Sequence, residues 1–247
     1  MPVKILRIED LNYNSFKQAS IYVDACFLLA FLDANGDEDG ELVERVLIKM
    51  QNDNIKKLLI SNHVFSEVVQ HLFLGHIYSV IHLAYRKFVL KKDLSADEKD
   101  VLGDPFIARK LMQLVDQQEL RGFRTGNKVF IPVKETIKLY KERYTDRDSL
   151  NYYYESVLQI FNDLFSNLNN EFNIQTEHVS SDESTFYMAQ VFMSELQLEV
   201  KDSLHLAVAK QNEADYFATL DSDFVHKFYS GAHLDKTTIF HISKRYV

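Results

Sequence analysis

Ser20-Ile21-Tyr22-Val23-Asp24-Ala25-Cys26-Phe27-Leu28-Leu29-Ala30-Phe31-Leu32 changes its period at a single acidic residue. Ser20–Val23 is β-branched and aromatic, which suits a short buried strand. Asp24 ends it. Ala25–Leu32 is built of good helix formers, apolar on all sides, and predicts a helix packed within a core. A strand that passes through an acidic turn into a buried helix is the start of an alternating α/β chain.

The alternation continues in both directions along the sequence. After the polar turn 33–40, Leu42, Val46 and Met50 lie four apart and predict a helix over Glu41–Gln51. Leu58–Ile60 reads as a second strand, with Asn62 a plausible cap for the helix after it. That helix is long, with apolar residues at Val68, Val69, Leu72, Phe73, Ile77, Val80, Ile81, Ala84 and Phe88. Strands are next expected at Ile174–Val179, Tyr216–Leu220 and Thr237–Ile242, with helices at Ser184–Leu196 and Ser203–Glu213. Strands separated by helices predict an α/β fold with a mainly parallel sheet.

Between these halves the chain changes character. Lys91–Asp100 is a charged run, and Pro105, Pro132, Gly103, Gly122 and Gly126 all fall between 103 and 132. This predicts a punctuated, mainly helical insertion over about 91–172. Its expected parts are a helix near Ile107–Leu120, a strand at Lys128–Val133 and a helix that buries Tyr154, Leu158, Phe161, Phe165 and Leu168. The whole chain, 1–247, reads as one domain with a core at about 20–90 and 173–243.

Composition narrows the function classes. Hydrophobic residues make up 46% of the chain, enough for a large core and too many for a disordered protein. With only 7 Gly and 3 Pro, the composition argues against a turn-rich sandwich or barrel and for long helices with few breaks. The lone Cys26 leaves no internal disulfide and suits a reducing compartment. The net charge of −8 means that any nucleic-acid binding needs a local basic patch. Leu72–Leu90 comes nearest to a membrane span, but His76, His82, Arg86 and Lys87 interrupt it and its apolar residues recur at helical spacing, so a half-buried helix and no membrane are expected. The first twenty residues carry Lys4, Arg7, Glu9, Asp10 and Lys17 rather than an apolar signal segment, and the expected location is the cytoplasm.

In open parallel sheets, ligands bind beyond the carboxyl ends of the strands. Asp24 and Asp221 each follow a predicted strand, Glu67 lies in the first turns of the long helix, and Asp202 opens a helix where its charge meets the positive end of the dipole. Four converging carboxylates repel one another unless a cation joins them. Oxygen-only donors suit Mg²⁺ or Mn²⁺, and one cysteine with nine scattered histidines offers no zinc spacing. Such an ion activates water and stabilises charge in phosphodiester cleavage, so the pattern points to a nuclease or phosphatase. Taken singly, Asp24 and Asp221 also suit strand-ending turns, Asp202 a helix cap and Glu67 a solvated helix position. Asp223 reads as a cap of the segment Phe224–Tyr229.

Ile21-Tyr22-Val23-Asp24 and Ser61-Asn62-His63-Val64-Phe65-Ser66-Glu67 resemble the first two motifs of PIN-domain nucleases. Lys201-Asp202-Ser203-Leu204-His205-Leu206-Ala207-Val208-Ala209 and Ala218-Thr219-Leu220-Asp221-Ser222-Asp223-Phe224 resemble the third and fourth. The segment Asp182–Leu196 is similar to the helix that precedes the third motif in toxin-type members. The resemblance covers roughly 20–90 and 173–243; the segment 91–172 and about twenty N-terminal residues depart from it. It implies a PIN-like three-layer α/β/α fold with a central parallel sheet and a large helical insertion. It also implies a Mg²⁺- or Mn²⁺-dependent endoribonuclease with Asp24, Glu67, Asp202 and Asp221 as catalytic and metal-binding acids, Asp223 as an accessory metal acid and Thr219 as a polar neighbour of the substrate. RNA is then the substrate, and an antitoxin protein and a second copy of the chain are the candidate partners. The alternative is a non-catalytic PIN-like scaffold in a protein–RNA complex.

Two basic clusters are candidates for RNA phosphates: Arg86, Lys87, Lys91 and Lys92, and Lys134, Lys138, Lys141, Arg143 and Arg147, with Tyr152 or Tyr153 stacking on a base. The interleaved Glu135, Glu142 and Asp146 equally suit a solvated helical face. His63, His71, His76 and His82 are too widely spaced to form a ligand pair and read as structural.

Overall fold

The computed structural model describes residues 4–33, 38–125, 130–145, 148–225, 234 and 236–243. The elements in chain order are β1 (Ile5–Arg7), β2 (Ser20–Val23), α1 (Ala25–Leu32), α2 (Glu38–Asp53), β3 (Lys57–Ser61), α3 (Asn62–Phe88), α4 (Ala96–Leu102), α5 (Pro105–Gln113), α6 (Gln117–Thr125), α7 (Val133–Arg143), α8 (Asn151–Phe172), β4 (Thr176–Val179), α9 (Glu183–Glu195), α10 (Val200–Gln211), β5 (Tyr216–Thr219) and β6 (Thr238–His241). The chain divides into two compact units, one of residues 1–68 and 162–247, the other of residues 69–161.

The first unit is α/β, with a single six-stranded sheet flanked by helices. Every strand pair is parallel and the order is β1-β6-β5-β2-β3-β4. Burial follows position in this sheet. All four residues of β2 are buried, as are all but the first of β3, β5 and β6, because a parallel strand in the interior is covered on both faces. The edge strands β1 and β4 are mostly exposed and carry Arg7, Glu177 and His178, which discourage further strand addition. From β2 the chain builds outward through β3 to β4, then returns to the far side of β2 for β5 and β6. Strand order therefore reverses between β2 and β5, and the crevice at their carboxyl ends is where such sheets bind ligands.

The second unit is helical, built from α4–α7 with most of α3 and the first half of α8. Its core includes Ile77, Val80, Ile81 and Ala84 of α3, Ala108 and Leu111 of α5, Tyr140 of α7 and Tyr153 and Val157 of α8. By length and composition alone α3 could cross a membrane. A third of its most apolar stretch is buried. Val68 is buried in the first unit and the α3 residues just named in the second, while Phe65 is exposed.

Several expected boundaries move. The N-terminal segment read as an extension supplies β1, which pairs with β6 through Ile5–Ile239, Leu6–Phe240 and Arg7–His241. The single helix expected near 107–120 is two, because Asp116 caps a new start by accepting from the Gln118 N–H at 2.6 Å. Phe130–Pro132 has no strand structure and Val133 opens α7; residues 128–129 lie outside the described residues. The stripe of α8 is shifted: Tyr153, Val157, Phe161, Leu164 and Leu168 are buried, whereas Leu158 is exposed. Asn62 is the first residue of α3 rather than its cap, a role taken by Ser61, whose Oγ accepts from the Val64 N–H at 3.3 Å.

Candidate functional site

Register brings the two strand ends together. Val23 of β2 pairs with Ala218 of β5, so Asp24 and Thr219 emerge side by side. Asp24 has extended backbone angles and caps α1, its Oδ1 accepting from the Phe27 N–H at 2.9 Å. Its Oδ2 accepts from the Thr219 hydroxyl at 2.5 Å, and the same hydroxyl oxygen accepts from the Asp221 N–H at 2.9 Å. One buried threonine thus ties both strand-end aspartates into one unit. Asp24 is only 4% exposed, and burial pushes its carboxyl up to about 6. The bonds from Thr219 and Phe27 and the nearby His205 oppose that shift, while Asp221 adds to it.

Asp202, Asp221 and Asp223 form the tight cluster, with one carboxylate oxygen from each lying within 4.8 Å of the others. Asp221 caps the short 3-10 turn Ser222–Phe224 and accepts from the Asp223 N–H at 2.9 Å. This corrects the expectation that Asp223 is the cap; residues 226–229 of the segment expected after it lie outside the described residues. Helix α10 begins at Val200 with Glu199 at its cap position, so Asp202 sits inside the first turn and neither opens nor caps the helix. Partial burial and then the charge of Asp221 push the Asp202 carboxyl up to about 6.

Glu67 is held differently. Its Oε1 lies 3.3 Å from Lys201 Nζ and its Oε2 lies 3.4 Å from His205 Nε2. The interaction with His205, working against partial desolvation and aided by Lys201, keeps its carboxyl below the usual range. Glu67 and Asp24 are not members of the tight three-aspartate group. All four predicted acids nevertheless act on one neighbour. Cys26, exposed at the start of α1, has its thiol pushed up to about 12 by desolvation and then by Asp24, Asp221, Glu67 and Asp202.

Beneath the acids runs a buried polar chain. The Tyr22 hydroxyl lies 2.7 Å from Ser61 Oγ and 2.7 Å from His205 Nδ1, and the Tyr22 ring stacks on Phe217. Burial raises the Tyr22 pKa, so its hydroxyl stays protonated. Tyr22, His205 and Lys201 were not among the predicted site residues, yet periodicity marks them. Tyr22 shares a strand face with Asp24 two residues on, and Lys201 and His205 lie four apart on α10, flanking Asp202.

Arg86 and Lys87 belong to the second unit. Arg86 is ion-paired with Glu98, and Lys87 Nζ lies 5.6 Å from the centroid of the Phe88 ring. In the other basic cluster Lys138 faces Glu142 at 3.9 Å, and Arg147 lies outside the described residues. Tyr153 is buried, and the hydroxyls of Tyr152 and Tyr153 donate to the Asp100 and Leu102 carbonyls at 2.9 and 3.0 Å. No protein-family model matches the chain, and no curated protein matches it.

Proposed function

We propose that this chain is a metal-dependent endoribonuclease of PIN-like, three-layer α/β/α architecture, and that its acids at the β2–β5 crevice hold Mg²⁺ or Mn²⁺. The observation that carries the reading is the meeting of Asp202, Asp221 and Asp223 within 4.8 Å, beside an Asp24 that Thr219 ties to Asp221, at the point of strand-order reversal. The donor set fits a hard divalent ion, since it is all oxygen and brings three carboxylates together. Burial pushes both Asp202 and Asp24 up to about 6, and the charge of Asp221 adds to each shift.

Asp202, Asp221 and Asp223 would hold the ion, with Asp24 at its side. A bound ion of this kind lowers the pKa of a water and neutralises charge building on a phosphodiester. The chain's own part is to hold the acids still. Thr219 and the Phe27 N–H fix both oxygens of Asp24, and Lys201 and His205 flank Glu67. A cytoplasmic toxin whose partner is an antitoxin protein is the narrower form of this reading, and it rests on the resemblance of the sequence motifs. The Lys201–Glu67 pair favours a second reading, a non-catalytic PIN-like scaffold, because it already neutralises one of the four acids.

Cleavage of single-stranded RNA separates the two readings. Wild type should cut with Mn²⁺ or Mg²⁺ and stop in EDTA, while Asp24→Asn and Asp202→Asn should lose activity by about 100-fold or more with melting curves still cooperative. Cleavage that persists in EDTA, or is unchanged in both variants, defeats the proposal. No cleavage of any RNA by wild type supports the scaffold.

A further inference from the structure

The helical unit contains a cavity of about 390 Å³ that belongs to none of the chemistry above. Helix α6 lines it with Gln117, Leu120, Arg121 and Arg124, an i, i+3, i+4, i+7 set that forms one face of the helix. Met112, Val115 and Tyr85 complete its apolar side. Tyr85 is buried, and its hydroxyl accepts from Arg124 Nε at 3.0 Å, which fixes the guanidinium while leaving its other N–H groups to serve a ligand. Of the two acids next to the lining in sequence, Asp116 is already used in capping α6, and Glu119 is not among the residues that line the cavity.

The charge of this lining runs against the charge of the chain as a whole. The chain carries a net −8, yet two arginines and no aspartate or glutamate line the cavity among the described residues. Two guanidiniums beside an apolar wall, in a space of the size that encloses small ligands, match a molecule with an anionic head and an apolar or aromatic body. We propose that this cavity binds a small amphiphilic anion, a phosphate monoester or a carboxylate. The Arg121 and Arg124 guanidiniums take the head, and Leu120, Met112 and Val115 cover the body.

Fluorescence titration of the full chain with 2-naphthyl phosphate, 2-naphthoate, 2-naphthol and inorganic phosphate tests this. The absence of tryptophan leaves the naphthyl signal clear. One or both naphthyl anions should bind saturably at one site, about tenfold or more tighter than 2-naphthol and inorganic phosphate. The anion that binds identifies the head group. Arg121→Gln combined with Arg124→Gln should cost about tenfold or more in anion affinity and leave 2-naphthol unchanged. Arg121→Gln alone, at an exposed position, should give a smaller loss in the same direction and covers the case in which the double variant folds poorly. The proposal is overturned if neither anion saturates, if 2-naphthol binds as tightly, or if the variants bind like wild type. RNA cleavage is not a readout here, so the result stands whatever the nuclease assay shows.

Discussion

Thr219 is where the two strand-end aspartates meet: its hydroxyl donates to Asp24 Oδ2 and accepts from the Asp221 N–H. A carboxylate as buried as Asp24 depends on such donors, because each lost hydrogen bond leaves its desolvation uncompensated. Thr219→Val keeps the shape and removes the hydroxyl. It should destabilise the fold by about 1–3 kcal/mol in urea melts at pH 7.5, and by less at pH 5, where the carboxyl is largely protonated. A loss of equal size at both pH values would mean that Thr219 serves packing alone. The neighbours in the polar chain were harder to see in the sequence. Tyr22 and His205 lie within strand and helix patterns that read as core, and only the pairing of β2 with β3 and the approach of α10 place their polar atoms 2.7 Å apart. Asp24 and Asp221 were legible because each follows an apolar strand, where a charge is out of pattern, and Asp202 because it stands just ahead of the helical run 203–209.

Elements with strong periodicity could be read almost residue by residue. Ser20–Val23 and Ala25–Leu32 are β2 and α1 as expected, since an acidic N-cap and a pure change of period mark the boundary between them. The failures fall where local chemistry overrides period. The charged run 91–100 hides the start of α4, which Ser95 and Glu98 fix with a reciprocal capping box. β1 is three residues long and gains its structure only by pairing with β6, some 230 residues away, so no local signal announces it. Helix α4 ends on Gly103, whose φ of +62° disfavours any side chain. A Cβ there would come within 2.6 Å of the Tyr152 ring, and the Tyr152 and Tyr153 hydroxyls bond the last carbonyls of the helix. Gly103→Ala should therefore cost about 1–3 kcal/mol of stability in denaturant melts. A neutral result would show that the two tyrosines can move aside without loss.

For the whole molecule, the acids make stability depend on pH and on metal together. Asp24 has an ordinary value of 3.8 and is pushed up to about 6 in the fold, so the folded state holds the proton more tightly than the unfolded chain. The stabilisation from that proton is complete below 3.8 and is lost as the pH rises through 6. Without metal, raising the pH from 5 to 7.5 should cost on the order of 1 kcal/mol from Asp24, with a loss of the same sign from Asp202. Asp24→Asn should flatten the Asp24 part of that slope in melts over this range; an unchanged slope would place the titration elsewhere. A divalent ion competes with those protons and should reverse the trend, making the metal-loaded protein more stable at pH 7.5 than at pH 5. The central claim is that the aspartate cluster is a metal site, and the direct measurement is the thermal melt at pH 7.5 of wild type and Asp221→Asn, each in EDTA and in Mn²⁺. At about 100 times its dissociation constant, Mn²⁺ should stabilise wild type by about 2.7 kcal/mol, while Asp221→Asn melts no lower than wild type in EDTA and gains much less from the metal. A wild type indifferent to Mn²⁺, with Asp221→Asn melting like wild type in both buffers because Asn caps about as well as Asp, contradicts the account.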